Sequence, residues 1–151
     1  AAPLEIARAC DKLQGQVTSA TSSISQMAAV AAMQCDPSTN EEIRNMVDTF
    51  RERRDLVHGL LEEIPGLKNN MPDGAFYFFP DVSQYFGKKF GDQLISNSND
   101  LCMYLLNQAH VAVVPGEAFG NPSCIRISYA TSKKILITAI ARIDDALAEL
   151  K

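Results

Sequence analysis

A two-layer α/β (α+β) fold, with helices packed on a small, mostly antiparallel sheet, is what this sequence predicts. Three observations carry that prediction. Apolar residues recur at helical spacing from Ile43 to Ile64. The segment Cys124-Ile125-Arg126-Ile127-Ser128-Tyr129-Ala130 alternates strictly, and the aromatic run Ala75-Phe76-Tyr77-Phe78-Phe79 follows a Pro72-Asp73-Gly74 turn. Helical and strand periods within 151 residues, 46% of them apolar and 21% charged, suit a chain with one modest core.

Taken from the start, Pro3 suits a first helical turn. Leu4, Ile6, Cys10 and Leu13 follow at roughly helical spacing until Gly15, so a short helix opens the chain. The polar stretch from Gln14 to Ser23 is dense in Thr, Ser and Gln, side chains that bond backbone locally, and predicts an ordered loop. Ile24, Met27, Ala28 and Ala31 share a helical face in the next segment, which Asp36-Pro37 ends. Thr39-x-x-Glu42 has the capping-box form and opens the longest helix. Its stripe is Ile43, Met46, Val47, Phe50, Val57, Leu60, Leu61 and Ile64, and Pro65-Gly66 closes it.

The aromatic run predicts one strand, stopped by Pro80. Residues 82–98, rich in Gly, Ser, Asn and Lys, predict a long loop with one helical turn, anchored by Tyr85 and Phe86. Asn99 or Ser98 caps a helix carrying Leu101, Tyr104, Leu105 and Gln108, after which Val111-Ala112-Val113-Val114 is a short strand stopped by Pro115-Gly116. In the alternating segment Ile125, Ile127 and Tyr129 face one side and Arg126, Ser128 and Ala130 the other, so the apolar side is the core side. A final helix begun at Thr131 or Ser132 presents Leu136, Ile140, Ile143, Leu147 and Leu150 on one face.

The charge balance of 14 basic against 18 acidic residues, with no basic run, argues against a nucleic-acid partner. No apolar stretch approaches the ~20 residues that cross a bilayer, so no membrane partner is expected. The N-terminus, Ala1-Ala2-Pro3-Leu4-Glu5, carries no export signal, which points to a soluble protein of the cytoplasm, and the lack of an initiating Met points to an excised fragment. Cys10, Cys35, Cys102 and Cys124 have no C-x-x-C spacing and are expected to be reduced and mostly buried.

Most chemical constellations are missing. His58 and His110 have no third ligand at metal-binding spacing, so no metal site is expected. There is no G-x-S-x-G elbow, P-loop or dinucleotide fingerprint, and Gly116-x-x-x-Gly120 lacks the spacing of a phosphate cradle. Arg53 and Arg54 fall where the long helix's apolar stripe continues, so their stems are expected to pack while their heads reach water. Arg126 is the sharpest candidate: a lone cation within a strand whose opposite face is apolar, where a rigid backbone aims a guanidinium able to grip a carboxylate bidentately. A solvated or structural arginine explains the same pattern from the residues alone.

Two longer motifs bear on that choice. Val111-Ala112-Val113-Val114-Pro115-Gly116-Glu117-Ala118-Phe119-Gly120, followed by Cys124-Ile125-Arg126-Ile127-Ser128-Tyr129-Ala130-Thr131-Ser132, resembles the C-terminal signature of class I aminotransferases of the aspartate aminotransferase type. Pro72-Asp73-Gly74-Ala75-Phe76-Tyr77 resembles the segment upstream of it, and Pro3 through Met33 resembles the region after the family's lysine-containing loop, so the likeness covers essentially the whole chain. One departure is Glu117, where relatives often carry Ser, Thr or Asp.

The resemblance implies a fold type I enzyme using pyridoxal 5'-phosphate. Residues 1–40 would be the end of its large cofactor-binding domain, and 41–151 the C-terminal small domain, with the long helix linking the two. Arg126 matches the arginine that binds the substrate α-carboxylate. The family's Schiff-base lysine, pyridinium-binding aspartate and cofactor-oxygen tyrosine match positions before residue 1, so no catalytic or cofactor-binding residue is assigned here. Implied partners are an amino acid and a 2-oxo acid, aspartate and 2-oxoglutarate first, and a second subunit in a homodimer. Prephenate and aromatic aminotransferases share the motifs. A non-catalytic α+β module for ligand binding or oligomerisation is the reading from another class, and this stretch by itself is expected to be inactive.

Overall fold

The computed structural model describes residues 2–151. They form two compact units, one up to Arg44 and one from Asn45 to Lys151, and the division falls inside the longest helix. The first unit holds helices α1 (Leu4–Val17) and α2 (Ser23–Gln34) and the first turn of α3 (Glu41–Glu62).

Helix α1 runs through Gly15, where the sequence predicts a stop. A helical Gly costs only about 1 kcal/mol relative to Ala, and here the Thr18 amide (3.1 Å) and hydroxyl (3.2 Å) both donate to the Gln14 carbonyl, closing the final turn. The predicted loop therefore shrinks to residues 18–22. Neither α1 nor α2 buries a residue, and apolar side chains such as Ile24 (80% exposed) and Met33 (88%) lie open. Cys10 is exposed with them, against the expectation of burial. The cap of α3 is Asn40 rather than Thr39: Asn40 Oδ1 accepts from the Ile43 amide at 3.1 Å, while Thr39 donates to the Asp36 carbonyl.

In the second unit an antiparallel sheet of three short strands has the order β1 (Tyr77–Phe78), β5 (Ile125–Ser128), β4 (Val114–Pro115). Tyr77 lies opposite Ser128, Phe78 opposite Ile127, and Val114 opposite Arg126. This is the small antiparallel sheet the sequence predicts, with shorter ladders. Ala75 adopts a left-handed backbone (φ 61°), which ends strand geometry before β1. On the other side, residues 111–113 join no ladder, although Val111 and Val113 still pack on the core and Ala112 is exposed, as alternation requires.

The predicted loop 82–98 contains a 3-10 turn (Ser83–Tyr85) and a hairpin, β2 (Lys89–Phe90) with β3 (Gln93–Leu94), joined through Gly91 at φ 58°. Strands of two residues leave no alternation to read. Backbone bonds between Lys89 and Lys151 (2.7 and 3.0 Å) tie this hairpin to the C-terminus, and Phe90 packs against Tyr104. Helix α4 (Ser98–Tyr104) is capped by Asn97, one residue before the predicted cap, and continues as a π turn (Leu105–Ala109) that packs on α5 (Lys133–Ala148). Ser132 caps α5 as predicted.

Within this unit, helices pack against one face of the sheet. Val57 and Leu61 of α3, Leu101 and Tyr104 of α4, and Leu136, Ile140, Ile143 and Leu147 of α5 enclose Phe78, Ile125, Ile127 and Tyr129. The Tyr104 hydroxyl donates to the Ala146 carbonyl at 2.7 Å, which satisfies the one polar atom its ring brings into the core.

Burial pushes the Cys102 thiol from 9.0 up to about 11 and raises the phenols of Tyr85, Tyr104 and Tyr129 above 10.0. Groups raised in this way contribute stability that is complete below the unfolded-state value and disappears as pH climbs through the folded one. The melting temperature should therefore begin to fall near pH 9, where the buried Cys102 and Cys124 thiols both contribute, and Cys102→Ala should lessen the early fall. Thermal melts across the alkaline range check this, and a melting point constant through about pH 11 contradicts it.

Candidate functional site

Strand β5 sets the site by its pleat. Because Ile125 and Ile127 point into the core, Arg126 and Ser128 must leave from the opposite face, where Arg126 is half-buried. Tyr77, paired with Ser128, and Val114, paired with Arg126, share that face.

The Arg126 guanidinium is held by rings. Its central carbon lies 4.6 Å from the centroid of Phe119 and 5.6 Å from that of Tyr77, both within the ~6 Å range of cation–π attraction. The ion pairs among the described residues join Arg51 to Asp48, Arg54 to Asp55, His58 to Glu62 and Lys133 to Glu52, so none of them uses Arg126. A half-buried guanidinium with rings against it and, among the described residues, no ion pair on its N–H edges is a ready receiver for a planar anion.

Phe119 reaches Arg126 from a 3-10 turn, Gly116–Phe119, that Gly116 makes possible. A Cβ on Gly116 would stand 2.3 Å from the Asn121 carbonyl oxygen and 2.4 Å from that of Cys124, closer than any side chain tolerates. The Gly116 amide donates to Cys124 O (2.8 Å) and the Asn121 amide to Gly116 O (3.1 Å), which binds the turn to the start of β5. Phe119 also packs edge-on against Phe79, with ring centroids 6.2 Å apart.

The other sequence candidates have structural roles. Arg53 packs its guanidinium over Phe50 at 5.5 Å with its Nε buried and unpaired, and Arg54 bonds Asp55 and the Pro72 carbonyl. His58 stacks on Phe78 (centroids 6.2 Å apart, planes 6° apart) and exchanges a hydrogen bond with Asn69. His110 ends the π turn in a left-handed conformation. No group of three or more His, Cys, Asp or Glu able to hold a metal occurs among the described residues. Glu117 is exposed on the turn.

A cleft of about 690 Å³ lies between residues 110–113 and α5, and a smaller one of about 340 Å³ between α3 and the turn 72–76. Arg126 lines neither. Sequence reasoning missed Tyr77 and Phe119 as parts of the site. Alternation in β1 separates Tyr77 from Phe78, but the pairing that sets Tyr77 near Arg126 comes from the fold, and nothing in the sequence shows that the turn folds Phe119 over a strand neighbour.

Comparison with known proteins agrees with the fold. The sequence pattern of "Aminotransferase class I and II" matches residues 1–143. The chain is 49% identical to the bifunctional aspartate aminotransferase and glutamate/aspartate-prephenate aminotransferase of Petunia hybrida, over all of this chain and 32% of that protein. It is 46% identical to the aspartate aminotransferase of Pinus pinaster, over all of this chain and 31% of that one. Its structure superposes on 36% of the crystal structure of the aspartate aminotransferase from Rhizobium meliloti, with a TM-score of 0.80, 42% identity and 97% of this chain covered. The chain belongs to the class I and II aminotransferase family. It spans about a third of the length of the relatives it matches.

Gly116→Ala is expected to destabilise the protein by about 1–3 kcal/mol, because two backbone carbonyls must move to admit the methyl group. Thermal melting of the variant checks this, and an unchanged melting temperature would show that the turn relaxes freely.

Proposed function

We propose that the whole protein transfers an amino group between an L-amino acid and a 2-oxo acid, aspartate and 2-oxoglutarate being the pair, and that Arg126 binds the substrate α-carboxylate. The observation that carries this reading is the guanidinium on a central strand, oriented by Phe119 and Tyr77 and without an acidic partner among the described residues. Such a group loses no ion pair when a carboxylate arrives. Its planar fork can meet both oxygens at once, which an ammonium cannot do.

The cofactor of this reading is pyridoxal 5'-phosphate. The neighbours of Arg126 named above, Phe119, Tyr77, Val114 and Ser128, include no amine to bond the aldehyde. The reading assigns the group that bonds the cofactor to residues outside this stretch. Residues 1–40 then belong to the large cofactor-binding domain and 41–151 to the small one. The open apolar faces of α1 and α2 support that division, since a helix with such a stripe is normally covered. The same reading takes the enzyme as a cytoplasmic homodimer, and no helix among the described residues is long and apolar enough to cross a membrane.

A second amino acceptor, prephenate, is favoured by the names of two relatives, the Petunia hybrida protein and a probable aspartate/prephenate aminotransferase of Aquifex aeolicus that is 39% identical. Both acceptors carry the carboxylate that Arg126 would hold, so the site is common to the two.

In the complete enzyme, Arg126→Lys should raise KM for both amino and oxo acid by about 10- to 100-fold, the worth of a charged hydrogen bond, while cofactor binding persists. Unchanged kinetics would refute the assignment. Residues 1–151 alone should show no transaminase activity and leave the absorbance of added pyridoxal phosphate unaltered; either signal would overturn the division of the site.

A further inference from the structure

The contacts of Arg126 raise the question of what holds so long a side chain in one orientation. An arginine has several rotatable bonds, and strand geometry fixes only the first. Among the described residues its guanidinium takes part in no ion pair, so the rings remain as the named contacts that set its direction.

Phe119 is the stronger of the two. It lies closer to the guanidinium, 4.6 Å against 5.6 Å for Tyr77. It is also 48% exposed, an unfavourable state for a phenyl ring whose purpose is packing. Several features nevertheless fix it there. Gly116 admits no side chain, Gly120 turns left-handed at φ 84° with its amide on the Glu117 carbonyl (3.1 Å), and Phe79 meets the ring edge-on at 80°. Tyr77 is braced in the same manner by Phe76, with planes at 90° and centroids 6.2 Å apart. Two braced rings on one face converge on one cation.

We infer that Phe119, assisted by Tyr77, is a positioning residue that pre-orients the Arg126 guanidinium through its ring face and keeps the N–H edges available for a carboxylate. A ring attracts the cation without offering an acceptor, so it orients the fork and does not compete for its hydrogen bonds. An acidic residue in its place would hold the guanidinium equally well and block it. Pre-orientation acts on binding, because a side chain already ordered loses less entropy when the substrate arrives. This inference rests on the carboxylate-binding role proposed for Arg126.

The test is steady-state kinetics with aspartate in the complete enzyme, comparing wild type, Phe119→Leu, Phe119→Tyr, Arg126→Lys and the double variant of Phe119→Leu with Arg126→Lys. Leu keeps the apolar bulk and removes the π face. We expect F119L to raise KM about 5- to 25-fold with kcat within about twofold, and Phe119→Tyr to restore KM. The double variant should be no worse than Arg126→Lys alone, since the ring acts through the guanidinium. Unaltered KM in F119L beside a large effect of Arg126→Lys overturns the inference and leaves the arginine's role standing. Additive effects, or failure of Tyr to rescue, mark Phe119 as mere packing and also overturn it. No effect of Arg126→Lys removes the underlying reading itself. Should F119L not fold, Tyr77→Leu is read by the same criteria, with Tyr77→Phe as its rescue.

Discussion

Everything at the site depends on the register of β5 between β1 and β4. The ladder sets Ile127 opposite Phe78 and Arg126 opposite Val114, and it buries Ile125, Ile127 and Tyr129 beneath three helices. A slip of one residue would drive the guanidinium into that core and expose the isoleucines. Burial of three large side chains, each worth roughly 1.5–3 kcal/mol, therefore also holds the direction of one arginine. Stability and the direction of Arg126 share a single constraint here. The core selects the pairing, and the pairing aims the cation.

The turn after β4 adds what the strand cannot. Strand geometry determines the face on which Arg126 emerges but leaves the end of the side chain to rotate. The close approach of the Gly116 backbone to the Asn121 and Cys124 carbonyls folds residues 116–119 back over the sheet, which brings Phe119 to the guanidinium. A motif that reads in sequence as a mere strand stop, Pro115-Gly116, thus shapes the site from the end of β4.

Much of this was legible beforehand where one period ran over many residues. The C-terminal half of the α3 stripe, with Val57 and Leu61 buried, the face of α5 with its Ser132 cap, and the alternation that puts Arg126 opposite the core follow from spacing, whereas Met46 and Val47 of the same stripe are exposed. Short elements were not legible. The hairpin of β2 and β3 has two residues per strand, and the ladders of β1 and β4 are as short, so their ends depend on local events such as the left-handed Ala75. Caps moved by one residue, to Asn40 and Asn97, because several neighbouring side chains could each serve. The Gly15 stop failed because one glycine is a weak signal within a helix. As for chemistry, the arginine stood out by its isolation, whereas its aromatic partners come from separate elements and are joined only by the fold.

The division of labour in the proposed enzyme follows from what this stretch contains. Under the proposed function it would offer an oriented cation for one end of a substrate, with the reactive group on residues elsewhere. The most direct test is a crystal structure of the complete enzyme with a bound dicarboxylate such as maleate. The account requires one carboxylate to lie in the guanidinium plane of Arg126, with paired N–O distances of ~2.7–2.9 Å and the Phe119 ring still against the guanidinium face. A dicarboxylate held by other residues, with Arg126 turned to solvent, would contradict it.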